Sequence, residues 1–200
     1  MKIFLDIGGH HGETVEEALK EKYNFDIIHT FDPVVENCNI IRQKYHDKRL
    51  VINEFGLWDK NCNSMIYGAG HVGGTLFKEK YTGKRKKPEG FGDTMCQFVR
   101  ASDWFQTSLL QDDYIIMKIN AEGAEVDIVD DLLNSCEYDK INHLMIDFDV
   151  RKIDSKKHLK KYLKDRLKSL GKTNYLTQAQ AMKGKTHQDR TAHWLKMIGE

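Results

Sequence analysis

The residues with the most chemical content stand where short apolar runs end. Lys2 to Ile7 is such a run, carrying Asp6, and it leads into Gly8-Gly9-His10-His11-Gly12-Glu13-Thr14. Small residues there let a ligand approach backbone amides at the start of a helix. The GxGxxG pattern is absent from this loop, and GxxxxGK followed by Ser or Thr occurs nowhere in the chain. A carboxylate such as Asp6 repels phosphate, so the loop suits a ligand with an ammonium group better than a nucleoside triphosphate. Asp32 stands 20 positions beyond Gly12, at the end of a second apolar run, where a carboxylate accepts hydrogen bonds from both hydroxyls of a ribose. A cationic, ribose-bearing, phosphate-free ligand fits S-adenosylmethionine; a ligand-free tight turn is the plainer alternative. Four further groups are placed to move a proton: Glu122, Asp147, Asp149 and His71, the last between Gly70 and Gly73.

These groups need a scaffold that brings strand ends together. Lys2 to Ile7 is the first predicted strand, followed by a helix with Thr14 and Glu17 as a capping box and Val15, Ala18 and Leu19 on one face, ending near Lys22. Asp26 to Phe31 is the second strand and Val34 to Tyr45 the second helix, with Pro33 near its first turn; Leu50 to Phe55 is the third strand. Positions 61 to 93 hold seven glycines and the basic run Lys84-Arg85-Lys86-Lys87, and read mostly as a long mobile loop. Met95 to Arg100 is a strand, Ser102 or Asp103 caps a short helix with Trp104 and Phe105, and Tyr114 to Ile119 is a strongly apolar strand. Ala124 to Leu133 is helical, Ile141 to Phe148 a strand, and Leu159, Tyr162, Leu163, Leu167 and Leu170 stripe a Lys-rich helix. Two weaker strands are predicted near Thr173 to Leu176 and Thr191 to Met197. Strands alternating with helices imply a mostly parallel sheet covered on both faces, a doubly wound α/β fold with its ligand site at the carboxyl ends of the strands.

Composition narrows the classes further. A chain of 200 residues points to a single domain. Charged residues make up 30% and aromatic residues 10%, which excludes a membrane bundle and global disorder. No run approaches the roughly 20 apolar residues of a membrane span. The N-terminus has neither a secretory nor a transit pattern, so a cytoplasmic protein is expected. The net charge of +1 gives no global pull towards nucleic acid. Cys38, Cys62, Cys96 and Cys136 form no CxxC pair and read as buried thiols in a reducing compartment.

Three segments, FLDIGGHHGET at 4–14, HTFDP at 29–33 and MKINAEGAEVDIV at 117–129, resemble the FkbM family of S-adenosylmethionine-dependent methyltransferases in order and spacing. The resemblance covers about Lys2 to Asp147. It implies a Rossmann-like class I methyltransferase fold, usually of seven strands with the last antiparallel, and transfer to a hydroxyl of a sugar, glycan or natural product. It further implies that Asp6, Gly8, Gly9 and Gly12 surround the methionine moiety, that His10, Thr14 and Asn120 also bind the cofactor, that Asp32 holds the ribose, and that Gly56, Leu57 and Trp58 lie at the adenine. Two positions depart from the family pattern: His10 replaces an Asn, and Asn120 replaces an Asp, which weakens a carboxylate role there.

For proton transfer, Glu122 and His71 rank first, with Asn120 and Asp147 beside them. Each has a plainer reading: Glu122 as a favourable charge at a helix start, His71 as an ordinary loop residue. Asp147 and Asp149, with Glu122 or Asn120, form an oxygen-rich set of the kind that holds Mg²⁺, and solvation of the sheet end explains them equally well. Glu125 reads as structural. The 84–87 run, with Lys78, Lys80 and Tyr81 nearby, would suit an RNA substrate, although such runs are usually solvated loops. A third reading is a module that binds the cofactor without turnover. The expected partner is a small-molecule or glycan acceptor with a free hydroxyl.

Overall fold

The computed structural model describes residues 1–81 and 86–200. Its strands, in chain order, are β1 (Lys2–Ile7), β2 (Ile27–Phe31), β3 (Leu50–Asn53), β4 (Gly56–Trp58), β5 (Cys62–Tyr67), β6 (Asp93–Arg100), β7 (Tyr114–Ile119), β8 (Ile141–Ile146) and β9 (Tyr175–Thr177). The helices are α1 (Glu13–Ala18), α2 (Val35–Lys44), α3 (Ala101–Ser108), α4 (Glu125–Asn134), α5 (Leu159–Ser169), α6 (Gln178–Ala181) and α7 (His187–Met197).

A six-stranded sheet runs in the order β3-β2-β1-β7-β8-β9, and all its neighbouring pairs are parallel. Alternation along β1 sends Ile3, Leu5 and Ile7 to one face, where Phe105, Ile128, Leu132 and Leu163 from α3, α4 and α5 cover them. Phe4 points to the other face, under Ala18, Ala181, Trp194 and Leu195 from α1, α6 and α7. Each fully buried Leu or Phe contributes roughly 1.5–3 kcal/mol. The expected doubly wound α/β fold is therefore present, and strand order reverses between β1 and β7. At that junction the Asn120 N–H donates to the Ile7 carbonyl at 2.9 Å.

Several expectations are corrected. Among the described residues the main sheet has six strands and no antiparallel seventh. The segment 191–197 lies in α7: the Thr186 and Asp189 side chains cap its start reciprocally, and Thr191, Trp194 and Leu195 are buried at helical spacing. The glycine-rich region is not simply a loop. Its first part, β5, pairs antiparallel with β6 from Cys62↔Phe98 to Tyr67↔Asp93, and with β4 completes a three-stranded sheet. Lys78–Tyr81 forms a 3₁₀ turn. Thr14 and Glu17 make no capping box, because α1 starts at Gly12 and both residues are buried within it. Likewise Arg100 precedes α3, and Ser102 and Asp103 lie inside its first turn. Of the free cysteines, Cys38 and Cys96 are buried, Cys62 is half-buried and Cys136 is exposed.

Candidate functional site

The loop after β1 is shaped by its backbone. The Gly8 and Gly9 N–H groups both donate to the Phe31 carbonyl at 3.0 Å, tying the loop to the end of β2. Gly8 has φ +84°, and a Cβ there would lie 2.1 Å from the Asn120 carbonyl oxygen. Only glycine fits both the left-handed backbone and this approach. Asp32 organises the rest. Its Oδ2 accepts from the His10 N–H at 2.8 Å, and its Oδ1 from the Val34 N–H at 2.9 Å and the Asn37 amide at 3.0 Å. Burial pushes the Asp32 carboxyl up to about 6, with the Val34, Asn37 and His10 donors pulling the other way.

These segments line a cavity of about 920 Å³, counted to its open mouth, at the carboxyl ends of β1, β2 and β7. This is the place where doubly wound sheets bind ligands. Gly8, Gly9, His10, Thr14, Asp32, Gly56, Leu57, Asn120, His71 and Glu122 are all brought to its wall. Five expected residues are not, Asp149 among them. Gly12 abuts the Tyr45 ring behind the loop. Trp58 turns away to donate its indole N–H to Asp127 at 3.1 Å. Asp147 is bound 2.8 Å from Arg151. Asp6 is fully buried, 2.7 Å from Lys118 Nζ, so the ammonium group expected for a ligand is supplied by the protein itself. Burial raises the Asp6 carboxyl and the Lys118 charge opposes that rise.

The wall also holds residues that motif reading missed: Asn37, Lys118 and His187. Two side-chain oxygens, Asn37 Oδ1 and Asn120 Oδ1, are buried without a hydrogen-bond partner. A buried acceptor left unsatisfied costs about 1–3 kcal/mol, so both sites favour a donor-bearing ligand. With the remaining lone pair of Asp32 Oδ2, Asn37 Oδ1 gives two neighbouring acceptors suited to a ribose diol. These acceptors fit a ribose-bearing cofactor such as S-adenosylmethionine, while Asp6, paired with Lys118, is not available to its ammonium group. A signal for Asn37 exists in the sequence: it is polar on the buried side of α2, beside Cys38 and one turn before Ile41. Lys118 is marked by its place inside the apolar strand YIIMKI.

The opposite wall is built from charge. Segment 68–81 folds over the cavity, pinned by Thr75 Oγ1 donating to the Glu122 carbonyl at 2.7 Å and by Tyr81 OH donating to the Gly73 carbonyl at 2.5 Å. Lys80 is buried, donates to the Gly73 carbonyl at 2.6 Å and pairs with Glu122 Oε2. Lys152 reaches the same oxygen at 3.3 Å and pairs with Asp149, and Arg151 lies 2.7 Å from Asp149 Oδ1. Burial raises the Glu122 carboxyl, with Lys80 pulling it back, and burial lowers the Lys80 ammonium. Burial works to raise Asp149 as well, but the hydrogen bond with Glu122 and the Lys152 charge hold it low. The Mg²⁺ reading of Asp147, Asp149 and Glu122 is therefore not supported, since Arg151, Lys152 and Lys80 already neutralise these carboxylates. Glu125 is structural as expected: its carboxylate accepts from the Gly123 and Val150 N–H groups at 2.7 and 2.6 Å. Burial raises it to about 7.

His71 sits at the tip of segment 68–81. Its Nδ1 accepts from the Gly73 N–H at 2.9 Å, which assigns the proton of the neutral ring to Nε2. Burial, with Lys80 next, lowers its pKa, so at neutral pH it offers the cavity a donor and not a base. Of the basic run, Lys84 and Arg85 lie outside the described residues; Lys87 pairs with Asp93 at 2.6 Å. Among the described residues no helix is long and apolar enough to cross a membrane.

No protein-family model and no curated protein matches the chain. Among solved structures, the crystal structure of methyltransferase FkbM from Methylobacillus flagellatus KT is similar, with a TM-score of 0.50 and 13% sequence identity over 82% of this chain and 37% of that one. The chain thus spans little more than a third of that protein's length, and the likeness is one of fold: a doubly wound α/β sheet of the kind a methyltransferase uses.

Proposed function

We propose that this chain is an S-adenosylmethionine-dependent methyltransferase of the FkbM type, transferring a methyl group to a hydroxyl of a sugar, glycan or natural-product glycoside. The observation that carries the reading is the pair of unsatisfied acceptors, Asn37 Oδ1 and Asn120 Oδ1, on the wall of a cavity at the β1/β7 switch in strand order. The fold likeness and the three FkbM-like segments support it; the acceptor class rests on those segments.

The cofactor, when bound, supplies an electrophilic methyl carbon on a sulfonium. Asp32 and Asn37 hold the ribose, Leu57 and Gly56 border the adenine, and Asn120 accepts from the amino group. Displacement in line requires an acceptor oxygen held roughly 3–3.5 Å from the methyl carbon with water excluded. Segment 68–81 covers the cavity and performs the exclusion. Glu122 lines the cavity, with Lys80 and Lys152 held at its Oε2, and is the carboxylate we assign to take the hydroxyl proton. A base so placed contributes about 10²- to 10⁴-fold. His71 donates from Nε2 to the acceptor.

Nucleic acid is not the partner of this reading, because the net charge of +1 gives no global pull towards it. The four free thiols suit the reducing cytoplasm. Calorimetric titration with S-adenosylhomocysteine tests the assignment: wild-type chain binds in the micromolar range and Asp32→Ala does not, while its circular dichroism stays that of a folded chain. Equal affinity in the two proteins sinks the cofactor assignment.

A further inference from the structure

The loop that follows β1 carries a second arrangement, independent of methyl transfer. His10 has φ +47°, a backbone conformation that costs a residue with a Cβ roughly 1–2 kcal/mol. The consequence is that its ring lies on that of His11, centroids 3.7 Å apart and planes inclined by 19°. Glu13 approaches from the first turn of α1, with Oε1 3.1 Å from His10 Nδ1. One ligating atom from each of His10, His11 and Glu13 falls within 4.8 Å of the others.

The charge environment separates this cluster from the carboxylates across the cavity. Asp6, Glu122, Asp147 and Asp149 each pair with a lysine or arginine, whereas the ion pair found for Glu13 is with His10. Lys44 donates to the His11 carbonyl at 3.1 Å.

We propose that His10, His11 and Glu13 bind a divalent transition-metal ion of the zinc class. Two imidazoles and a carboxylate are the donor set of three-ligand zinc sites and suit zinc, cobalt or nickel far better than magnesium, which takes oxygen. Donors about 2.0–2.1 Å from a tetrahedral zinc stand roughly 3.3 Å from each other, close to the separation of His10 Nδ1 and Glu13 Oε1. Because the two rings are stacked, the half-buried His11 ring has to turn out of the stack to aim its donor at an ion held between His10 and Glu13. Three protein ligands leave a coordination position open. His10 and Glu13 line the cavity, so that position faces the ligand space and takes an oxygen or amine donor from a bound molecule.

The test uses the untagged full chain stripped with chelator. Calorimetric titration with ZnCl₂ is expected to give one ion per chain in the micromolar range or tighter. His11→Ala and Glu13→Gln should each weaken binding by about 10- to 100-fold, with metal-free melting curves matching wild type. Co²⁺ in place of zinc should give the visible bands of a tetrahedral nitrogen and oxygen site, without thiolate charge transfer. Millimolar affinity, undiminished binding in either folded variant, or a thiolate signature pointing to the cysteines overturns the proposal.

Discussion

Around Asp32 the cavity wall consists of neutral donors and of acceptors with capacity to spare, whereas around Glu122 the carboxylates have already met lysine or arginine. Asp32 is held by two backbone N–H groups and the Asn37 amide, and the neighbouring Asn37 Oδ1 has no partner. Glu122 is engaged by Lys80 and Lys152, and Asp149 by Lys152 and Arg151. The first wall is fixed by short-range backbone geometry and awaits donors from a ligand. The second holds segment 68–81 in place by charge. Affinity for the cofactor and closure over the acceptor should therefore respond to different substitutions.

The largest effect is expected where the two walls join. In Gly8→Ala the new Cβ meets the Asn120 carbonyl at 2.1 Å with φ at +84°, so β1 and β7 must separate. Left-handed strain and overpacking together predict a loss of roughly 2–5 kcal/mol in urea unfolding and abolished S-adenosylhomocysteine binding. An unchanged unfolding midpoint would mean that the β1/β7 junction is slack.

Next in size is the charged wall. Lys80→Met leaves buried Glu122 with Lys152 alone, which predicts a destabilisation below the roughly 3–5 kcal/mol of a fully orphaned buried charge, most of it recovered in the double variant Lys80→Met/Glu122→Met. If the walls are independent, Lys80→Met changes S-adenosylhomocysteine affinity by less than about threefold. A large loss of affinity, or no recovery in the double variant, would merge the two regions into one.

The contrast also explains what could be read from residue types. β1 and β7 were legible to the residue, because buried parallel strands are apolar runs closed by glycine or polar residues. β5 was hidden: Ile66 is its one fully buried residue, and its partner β6 begins 26 positions after it ends at Tyr67. The end of α7 reads as a strand because Thr191-Ala192-His193-Trp194 alternates over a short stretch, although Thr186 and Asp189 mark a helix start. At the site, the glycine loop and Asp32 announce themselves locally. The pairing of Asp6 with Lys118, 112 positions away, follows only once β1 and β7 are known to be neighbours. Arg151 and Lys152, by contrast, follow Asp149 directly and could have warned that the acidic set is neutralised.

A smaller effect tests the neutral wall by pH. Burial raises Asp32 to about 6, and its anion is the form that accepts from a ribose hydroxyl. Affinity for S-adenosylhomocysteine should fall by about tenfold for each unit below pH 6 and level off above it; Asp32→Asn should flatten the profile. A wild-type profile already flat between pH 5 and 7 would remove Asp32 from the ribose. The folding side runs through Glu125, raised to about 7. Its protonated form favours the native state, so its contribution is full below pH 4.5, is lost as pH rises to 7, and amounts to about 3 kcal/mol. Glu125→Gln should remove that slope from pH-dependent unfolding.

The finest division concerns Asn37. Its Oδ1 has no partner while its amide donates to Asp32, so truncation removes an acceptor that costs stability when the cavity holds no donor. Asn37→Ala should leave thermal stability nearly unchanged and weaken S-adenosylhomocysteine binding by about 1 kcal/mol, roughly fivefold. A ligand lacking one ribose hydroxyl gives the decisive cycle. If Asn37 Oδ1 receives that hydroxyl, the deoxy ligand binds wild type more weakly but binds Asn37→Ala as well as the parent ligand does, because the partner is already gone. Additive losses for both single-deoxy ligands would return both hydroxyls to Asp32 and leave the Asn37 oxygen as a site for water, and the neutral wall would then rest on one carboxylate alone.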